Sequence, residues 1–215
     1  MNRRDFLKNT LIAAITVAAG SKASGSVKST FFKKSGKMKI LLLTGSPRKN
    51  GNSNTLADYF MKGAAQAGHE VVRFDAAFKN VHPCIACNKC GMDGPCVFKD
   101  DFEFVRQHIV EADMVVFATP MYYFGMSAQL KTVIDRFYAV NGQIHRPKKA
   151  ALLMTYANTA ASEAEPIKNH YKVLLAYLGW TDAGQIIVPG VWPAGAVNQT
   201  EYPRRAYELG KNITV

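Results

Sequence analysis

Short apolar runs alternate with amphipathic segments along most of this chain, and that alternation limits the fold more than any other feature. Lys39-Ile-Leu-Leu-Leu-Thr44 is continuously apolar at its centre, as expected of a strand covered on both faces. Residues 54–67 have helical periodicity and are closed by Gly68. Residues 69–74 read as a second strand. Residues 101–112 read as a helix, with Phe102, Val105 and Ile109 on one face. A third strand covers 113–118 and ends at Thr119-Pro120. A helix over 127–138, a strand over 150–155, a helix over 166–178 stopped by Gly179, and a fifth strand over 185–188 complete the series. Strands and helices in this order predict an α/β fold, a doubly wound parallel sheet with helices on both faces. The chain contains no internal repeat.

The four cysteines break the pattern. Cys84, Cys87, Cys90 and Cys96 fall within thirteen residues, and the other 202 contain none. They lie in the connection after the second strand. Gaps of two residues bring successive sulfurs round to one point, and soft thiolates suit iron–sulfur clusters and zinc. The C-x2-C-x2-C start resembles the run that wraps three corners of a [4Fe–4S] cube. Gly91, Gly94 and Pro95 then offer a turn that returns Cys96. One zinc ion, two disulfides or plain free thiols are the alternatives for the same residues. His82, two residues before Cys84, is a candidate substitute ligand, though a solvated loop histidine is the commoner case.

The N-terminus predicts an address. Arg3-Arg4-Asp5-Phe6-Leu7-Lys8 precedes an apolar stretch from Leu11 to Gly20, and small residues follow. Charged, apolar and small regions in that order form a cleavable export signal. The paired arginines give it the twin-arginine form, which is expected to export the folded protein outside the cytoplasm. An ordinary secretory signal is the alternative. The apolar part is about 10 residues, and a membrane span needs about 20, so no stable span is expected. We take 1–23 as the signal, with cleavage after Ala23 and Ala19 or Gly20 as alternative sites, and 24–37 as a flexible Ser/Gly/Lys-rich linker. Residues 38–215 form one domain, interrupted by a Cys-rich insertion at 82–98.

Charge excludes one class of partner. The net charge is +11, and the first 23 residues hold four basic and one acidic side chain, leaving about +8. These charges are dispersed. No basic stripe interleaves with aromatics, so nucleic acid is not expected as a partner. Nor does the sequence contain a Ser/His/Asp or paired-carboxylate hydrolase pattern.

The loop after the first strand is the strongest ligand signal outside the cysteines. Gly45-Ser-Pro-Arg-Lys-Asn-Gly-Asn-Ser-Asn-Thr55 leaves a buried strand and enters a helix. Free backbone N–H groups and the helix dipole there favour a phosphate. Ser46, Ser53, Asn54 and Thr55 add side-chain donors, and Arg48 adds charge. The loop fits neither the Walker A pattern nor G-x-G-x-x-G. A polar turn with a Ser/Asn cap is the plainer reading.

From Lys39 to about Val188 the chain resembles the flavodoxin-like family of NAD(P)H-dependent FMN reductases. The resemblance rests on Gly45-Ser-Pro-Arg-x-x-Gly-Asn-Ser-x-Thr55, on Thr119-Pro-Met-Tyr-Tyr-Phe-Gly125, and on Leu130-Lys-x-x-x-Asp-Arg136. The cysteine run followed by Lys99-Asp100-Asp101 resembles the iron–sulfur flavoprotein branch. The family implies a five-stranded sheet in the order 2-1-3-4-5, with the ligand at the carboxyl ends of the strands near the switch point. It implies that Ser46, Arg48, Ser53, Asn54 and Thr55 hold the FMN phosphate. It implies that Pro120, Met121, Tyr122, Tyr123, Phe124 and Gly125 border the flavin ring, with at most one of the two tyrosines stacked on it. Thr155, Tyr156, Ala157 and Asn158 would form a third loop. Lys131 and Asp135 read as a helix-surface pair.

The first expectation is therefore an FMN and [4Fe–4S] oxidoreductase that passes electrons between the two groups. Its redox partner is not specified by sequence, and its chemistry belongs to the cofactors. A second reading is an NAD(P)H-dependent FMN or quinone reductase whose Cys loop is structural. A third is a non-catalytic protein that docks a partner on a zinc or disulfide knuckle. By resemblance the chain forms a homodimer or a dimer of dimers, through Phe124, Met126 and the Cys loop.

Overall fold

Ile40 to Leu43 are buried because β1 (Lys39–Thr44) is an inner strand with helices on both faces. The computed structural model describes residues 36–214. The export signal and all but the end of the linker lie outside the described residues. β1 pairs in parallel with β2 (Glu70–Asp75) and with β3 (Met114–Tyr122). The end of β3 meets the two-residue β4 (Gly125–Met126) in antiparallel. β3 also pairs in parallel with β5 (Lys149–Thr155), and β5 with β6 (Thr181–Val188). Setting β4 aside, the sheet has the expected 2-1-3-4-5 order.

Alternate residues of each strand face opposite layers. Leu41, Leu43, Val115 and Phe117 pack with residues of α2 (Phe102–Glu111), α3 (Ala128–Asp135) and α5 (Glu165–Leu178). The short α4 (Asn141–Ile144) contributes Ile144 to the same layer. Ile40, Leu42, Val116 and Leu153 pack with α1 (Asn52–Gln66) and α6 (Tyr202–Asn212). Crossovers of this length leave the loops that follow β1, β3, β5 and β6 together at the carboxyl edge of the sheet.

Three boundaries differ from expectation. β3 runs on through Pro120 to Tyr122, because Thr119 and Pro120 stay in register with Met154 and Thr155 of β5, and β4 then pairs with Met121 and Tyr122. β6 begins at Thr181, four residues early; the sheet-edge position tolerates the polar Thr-Asp-Ala-Gly-Gln start. The helix expected over 127–138 ends at Asp135, and Arg136–Val140 tightens into a 3₁₀ turn. α6 is absent from the sequence reading altogether. Its buried residues, Pro203, Ala206 and Gly210, are small, so no stripe of large apolar side chains marks it. Small residues suit it because α1 and α6 touch backbone to backbone. A Cβ on Gly63 would come within 2.0 Å of Tyr207 O, and one on Gly210 within 2.2 Å of Phe60 O.

Candidate functional site

The carboxyl edge of the sheet opens into a cleft of about 490 Å³, a typical size for a small-molecule site. Three predicted loops meet there. Ser46, Arg48 and Ser53 line one side, Pro120, Met121, Tyr122 and Tyr123 another, and Thr155 with Tyr156 and Ala157 a third. A fourth wall, Val191 and Trp192 after β6, was missed by sequence reasoning. The rule that ligands sit beyond the carboxyl ends of strands would have flagged Gly190-Val-Trp-Pro193. Arg48 braces this wall. Its Nη1 donates to Trp192 O at 3.2 Å, and its guanidinium lies 5.7 Å from the Trp192 ring centre.

The cleft suits an anion at the start of α1. Helical N–H groups of the first turn have no intrahelical acceptor. No side chain caps this helix, and its first turn holds no acid. Ser53 is 1 % exposed, and its hydroxyl has no partner among the described residues. A buried hydroxyl left unpaired calls for an acceptor, and a phosphate oxygen is one. Asn54 and Thr55 are placed differently. Asn54 Nδ2 donates to Arg48 O and Lys49 O, and Thr55 Oγ1 donates to Gly51 O. Both brace the loop, and neither lines the cleft. Phe124, Gly125 and Asn158 also lie outside its lining. Asn52, which the sequence reading passed over, lines the cleft and ties it to the fourth wall by donating to Val191 O and Pro193 O.

Tyr123 and Phe124 turn the chain from β3 into β4. Both have positive φ, 44° and 63°, as the two central residues of a type I′ hairpin turn require. Asn-Gly usually fills such turns. Bulky residues there are strained and persist where the surroundings fix them. Tyr123 is fully exposed and Phe124 half exposed, whereas Met126 is buried. Met126 is therefore a core residue and not the contact residue expected from sequence. Lys131 and Asp135 do form the expected ion pair on the surface of α3.

A second site lies in the connection between β2 and α2. All four cysteines are free thiols and line one small hollow with Ile85, Val97 and Phe98. The backbone between them is unusual: Ala86, Asn88, Gly91 and Met92 all have positive φ, between 53° and 72°. Left-handed residues among ordinary ones turn successive N–H groups inward, the arrangement that accommodates anions and iron–sulfur groups. The loop is closed at its neck by paired bonds between Asn80 and Asp101. The segment after α3 then holds it in place. Tyr138 donates to Asn88 Oδ1, the Asn141 N–H to Met92 O, and the Gln143 N–H to Asp93 Oδ1. Arg136 donates to His82 O and to both oxygens of Asp100. Burial works against the Asp100 charge, but bonds from Arg136 and from the N–H groups of His82 and Phe102 outweigh it and hold its carboxyl below the usual range. The His82 ring stacks on Phe98 at 4.2 Å and does not line the hollow. Among the described residues no three His, Cys, Asp or Glu side chains are gathered as for a single metal ion.

Volume alone does not select a site. A groove of about 610 Å³ runs between β6 and α6, but its Arg204 and Arg205 pair with Glu201 and it lies along the sheet edge. Residues 38–191 match the family described as NADPH-dependent FMN reductase. The chain belongs to that family. Its members are FMN-dependent oxidoreductases, and in doubly wound sheets of this kind ligands bind outside the carboxyl ends of the strands, the edge at which this cleft opens. Over 180 residues, 82 % of this chain and 79 % of the relative, it is 31 % identical to an iron-sulfur flavoprotein of Archaeoglobus fulgidus. Over 99 residues, 46 % of this chain and 51 % of the relative, it is 37 % identical to the iron-sulfur flavoprotein MJ1083 of Methanocaldococcus jannaschii. Among solved structures, an NAD(P)H:quinone oxidoreductase from Methanothermobacter marburgensis superposes with a TM-score of 0.68 at 19 % identity. That alignment covers 82 % of this chain and 96 % of the other, and at this identity it supports the fold. No described helix is long and apolar enough to cross a membrane.

Proposed function

We propose that this FMN-dependent oxidoreductase is an iron–sulfur flavoprotein that exchanges electrons between FMN and a [4Fe–4S] cluster. Cys84, Cys87, Cys90 and Cys96 hold the cluster. The observation that carries this reading is that all the cysteines of the chain, all free, line one small hollow. A cube takes one thiolate at each of four irons, so its ligands stand apart around it. Thiols that ring a hollow without gathering for a single ion are compatible with that demand. The relatives named as iron-sulfur flavoproteins add support.

The residues divide the work. Ser53 and the first-turn N–H groups of α1 hold the FMN phosphate, with Arg48 adding charge and Ser46 shaping the loop. Pro120, Met121, Tyr122 and Tyr123 border the ring on one side, and Thr155 on another. FMN supplies the junction between hydride and single-electron chemistry, and the cluster supplies single-electron transfer. NAD(P)H is the donor class that the family uses. The strained, exposed Tyr123-Phe124 turn makes the contact with a second copy of the chain; light scattering of the FMN-loaded protein should give a dimer or a dimer of dimers. The paired arginines send the folded, loaded protein out of the cytoplasm. Arg3→Lys with Arg4→Lys should leave it there.

Replacing one cysteine tests the main reading. Cys96→Ser should lower iron content or convert the cluster to a three-iron form while FMN stays bound. Equal iron in the variant and the parent would contradict the assignment. One observation favours a second reading, an NAD(P)H-dependent FMN or quinone reductase with a structural Cys loop: no three ligands are gathered for a single ion. It predicts full turnover by a Cys96→Ser protein that holds no iron.

A further inference from the structure

Arg136 does more than tether the Cys loop. It is 2 % exposed and lines the hollow beside the four cysteines. Its terminal nitrogens are committed. Nη1 donates to His82 O at 2.8 Å and to Asp100 Oδ2 at 2.9 Å, and Nη2 donates to Asp100 Oδ1 at 3.2 Å. Its Nε is buried and has no partner among the described residues. The guanidinium carbon lies 5.4 Å from the ring centre of Phe98 and 4.7 Å from that of Phe102. Those rings keep water from it. A buried charged donor without an acceptor is costly, so this N–H calls for one. Asp100 balances the charge but is not part of the hollow's lining. The positive member of the pair thus faces the cysteines, and the negative member stands behind it.

We infer that Arg136 sets the reduction potential of the group held by the cysteines, by placing a buried guanidinium with one uncommitted N–H at the wall of their hollow. The inference rests on the cluster reading above. Reduction transfers one electron from reduced FMN to that group and adds one negative charge in the hollow. A fixed positive charge beside it favours the reduced form and raises the potential. Net charge and hydrogen bonds to sulfur are the levers by which a protein tunes such groups. Arg136 supplies the first, Asp100 opposes it, and the unpartnered Arg136 Nε–H is the donor available for the second.

The test is a redox titration of the FMN-loaded, anaerobically prepared holoprotein, read by low-temperature electron paramagnetic resonance. Arg136→Gln should lower the cluster potential by at least a tenfold change in the reduced-to-oxidised ratio, about 59 mV for a one-electron couple. Asp100→Asn keeps the shape and removes the opposing charge, so it should raise the potential. Opposite shifts with an unmoved flavin potential support the inference. A purely structural Arg136 predicts lower iron content in both variants, with the potential of the remaining clusters unmoved; that result overturns the inference. If Arg136→Gln assembles no cluster, Asp100→Asn decides alone: an upward shift supports the inference, and an unmoved potential overturns it. Wild-type protein with FMN but no iron or sulfide would instead remove the cluster reading, and this inference with it.

Discussion

The two candidate sites are built on opposite principles. The cleft comes from regular structure: strand ends and the start of a helix supply most of its walls and donors. The cysteine hollow sits in irregular chain, and hydrogen bonds from the segment after α3, to both backbone and side chains of the loop, hold it in place. Backbone donors at a helix start are fixed by the helix itself. A loop with four left-handed residues has no ladder to fix it, so its shape depends on a few tethers. Damage to the fold should therefore harm the cleft, whereas loss of one tether should harm the hollow alone.

The largest expected effect breaks the first half of that contrast. Gly63→Val drives a side chain into the Tyr207 carbonyl where α1 meets α6. Overpacking typically costs 1–3 kcal/mol, and backbone on both sides leaves little room to relax, so a cost of about 3 kcal/mol is expected. For a chain of this size Tm should fall by about 6–12 °C, and FMN affinity should fall with it. Thermal scans with and without FMN check this. An unchanged Tm would mean that the α1–α6 contact is looser than described.

Within the cleft the structure separates two hydroxyls that look alike in sequence. Ser53 Oγ is buried and unpaired, whereas Thr55 Oγ1 is committed to Gly51 O. A hydrogen bond to a charged group is worth about 1.5–3 kcal/mol. Ser53→Ala should thus weaken FMN binding at least tenfold, and Thr55→Ala much less. Fluorescence titration of the two apoproteins gives the ratio. Equal losses would return Thr55 to the phosphate site.

A smaller change sharpens the second half. Asp93→Ala removes the acceptor for the Gln143 N–H and frees one corner of the Cys loop. The loss is about 1 kcal/mol, so global stability should barely move. Iron should leave faster under a chelator while FMN dissociation stays unchanged. Iron loss at the parent rate would mean that this tether is dispensable.

A pH-linked effect concerns Lys148, a structural lysine just before β5. It is buried and donates to Val110 O and Ala112 O at the end of α2. Burial, with help from Arg146, pushes its pKa down to about 8. Between that value and the unfolded value near 10.5, the unfolded chain binds the extra proton. Stability from this group therefore rises with pH across the window. Urea midpoints of wild type and Lys148→Met at pH 7.5 and 10 should show wild type gaining relative to the variant. Parallel behaviour would mean that Lys148 titrates alike in both states.

These differences follow what sequence can carry. The sheet was legible because Ile40–Leu43, Val115–Ala118 and Ala150–Met154 are continuous apolar runs. α6 was not, because close helix packing selects Ala206 and Gly210 in place of large side chains. Three walls of the cleft were legible as polar or aromatic motifs after strands. The fourth, with Trp192, follows a strand whose first half is polar and was read too short. The cysteines were conspicuous, but their tethers were not. Arg136, Tyr138 and Gln143 lie 40 or more residues further along the chain. Only the folded chain brings them to the loop.

The central claim is that one chain carries both groups, and elemental analysis tests it most directly. Protein purified without oxygen should contain one FMN, four irons and four acid-labile sulfides per chain. One FMN with no iron or sulfide, and with one zinc or two disulfides in their place, would contradict it.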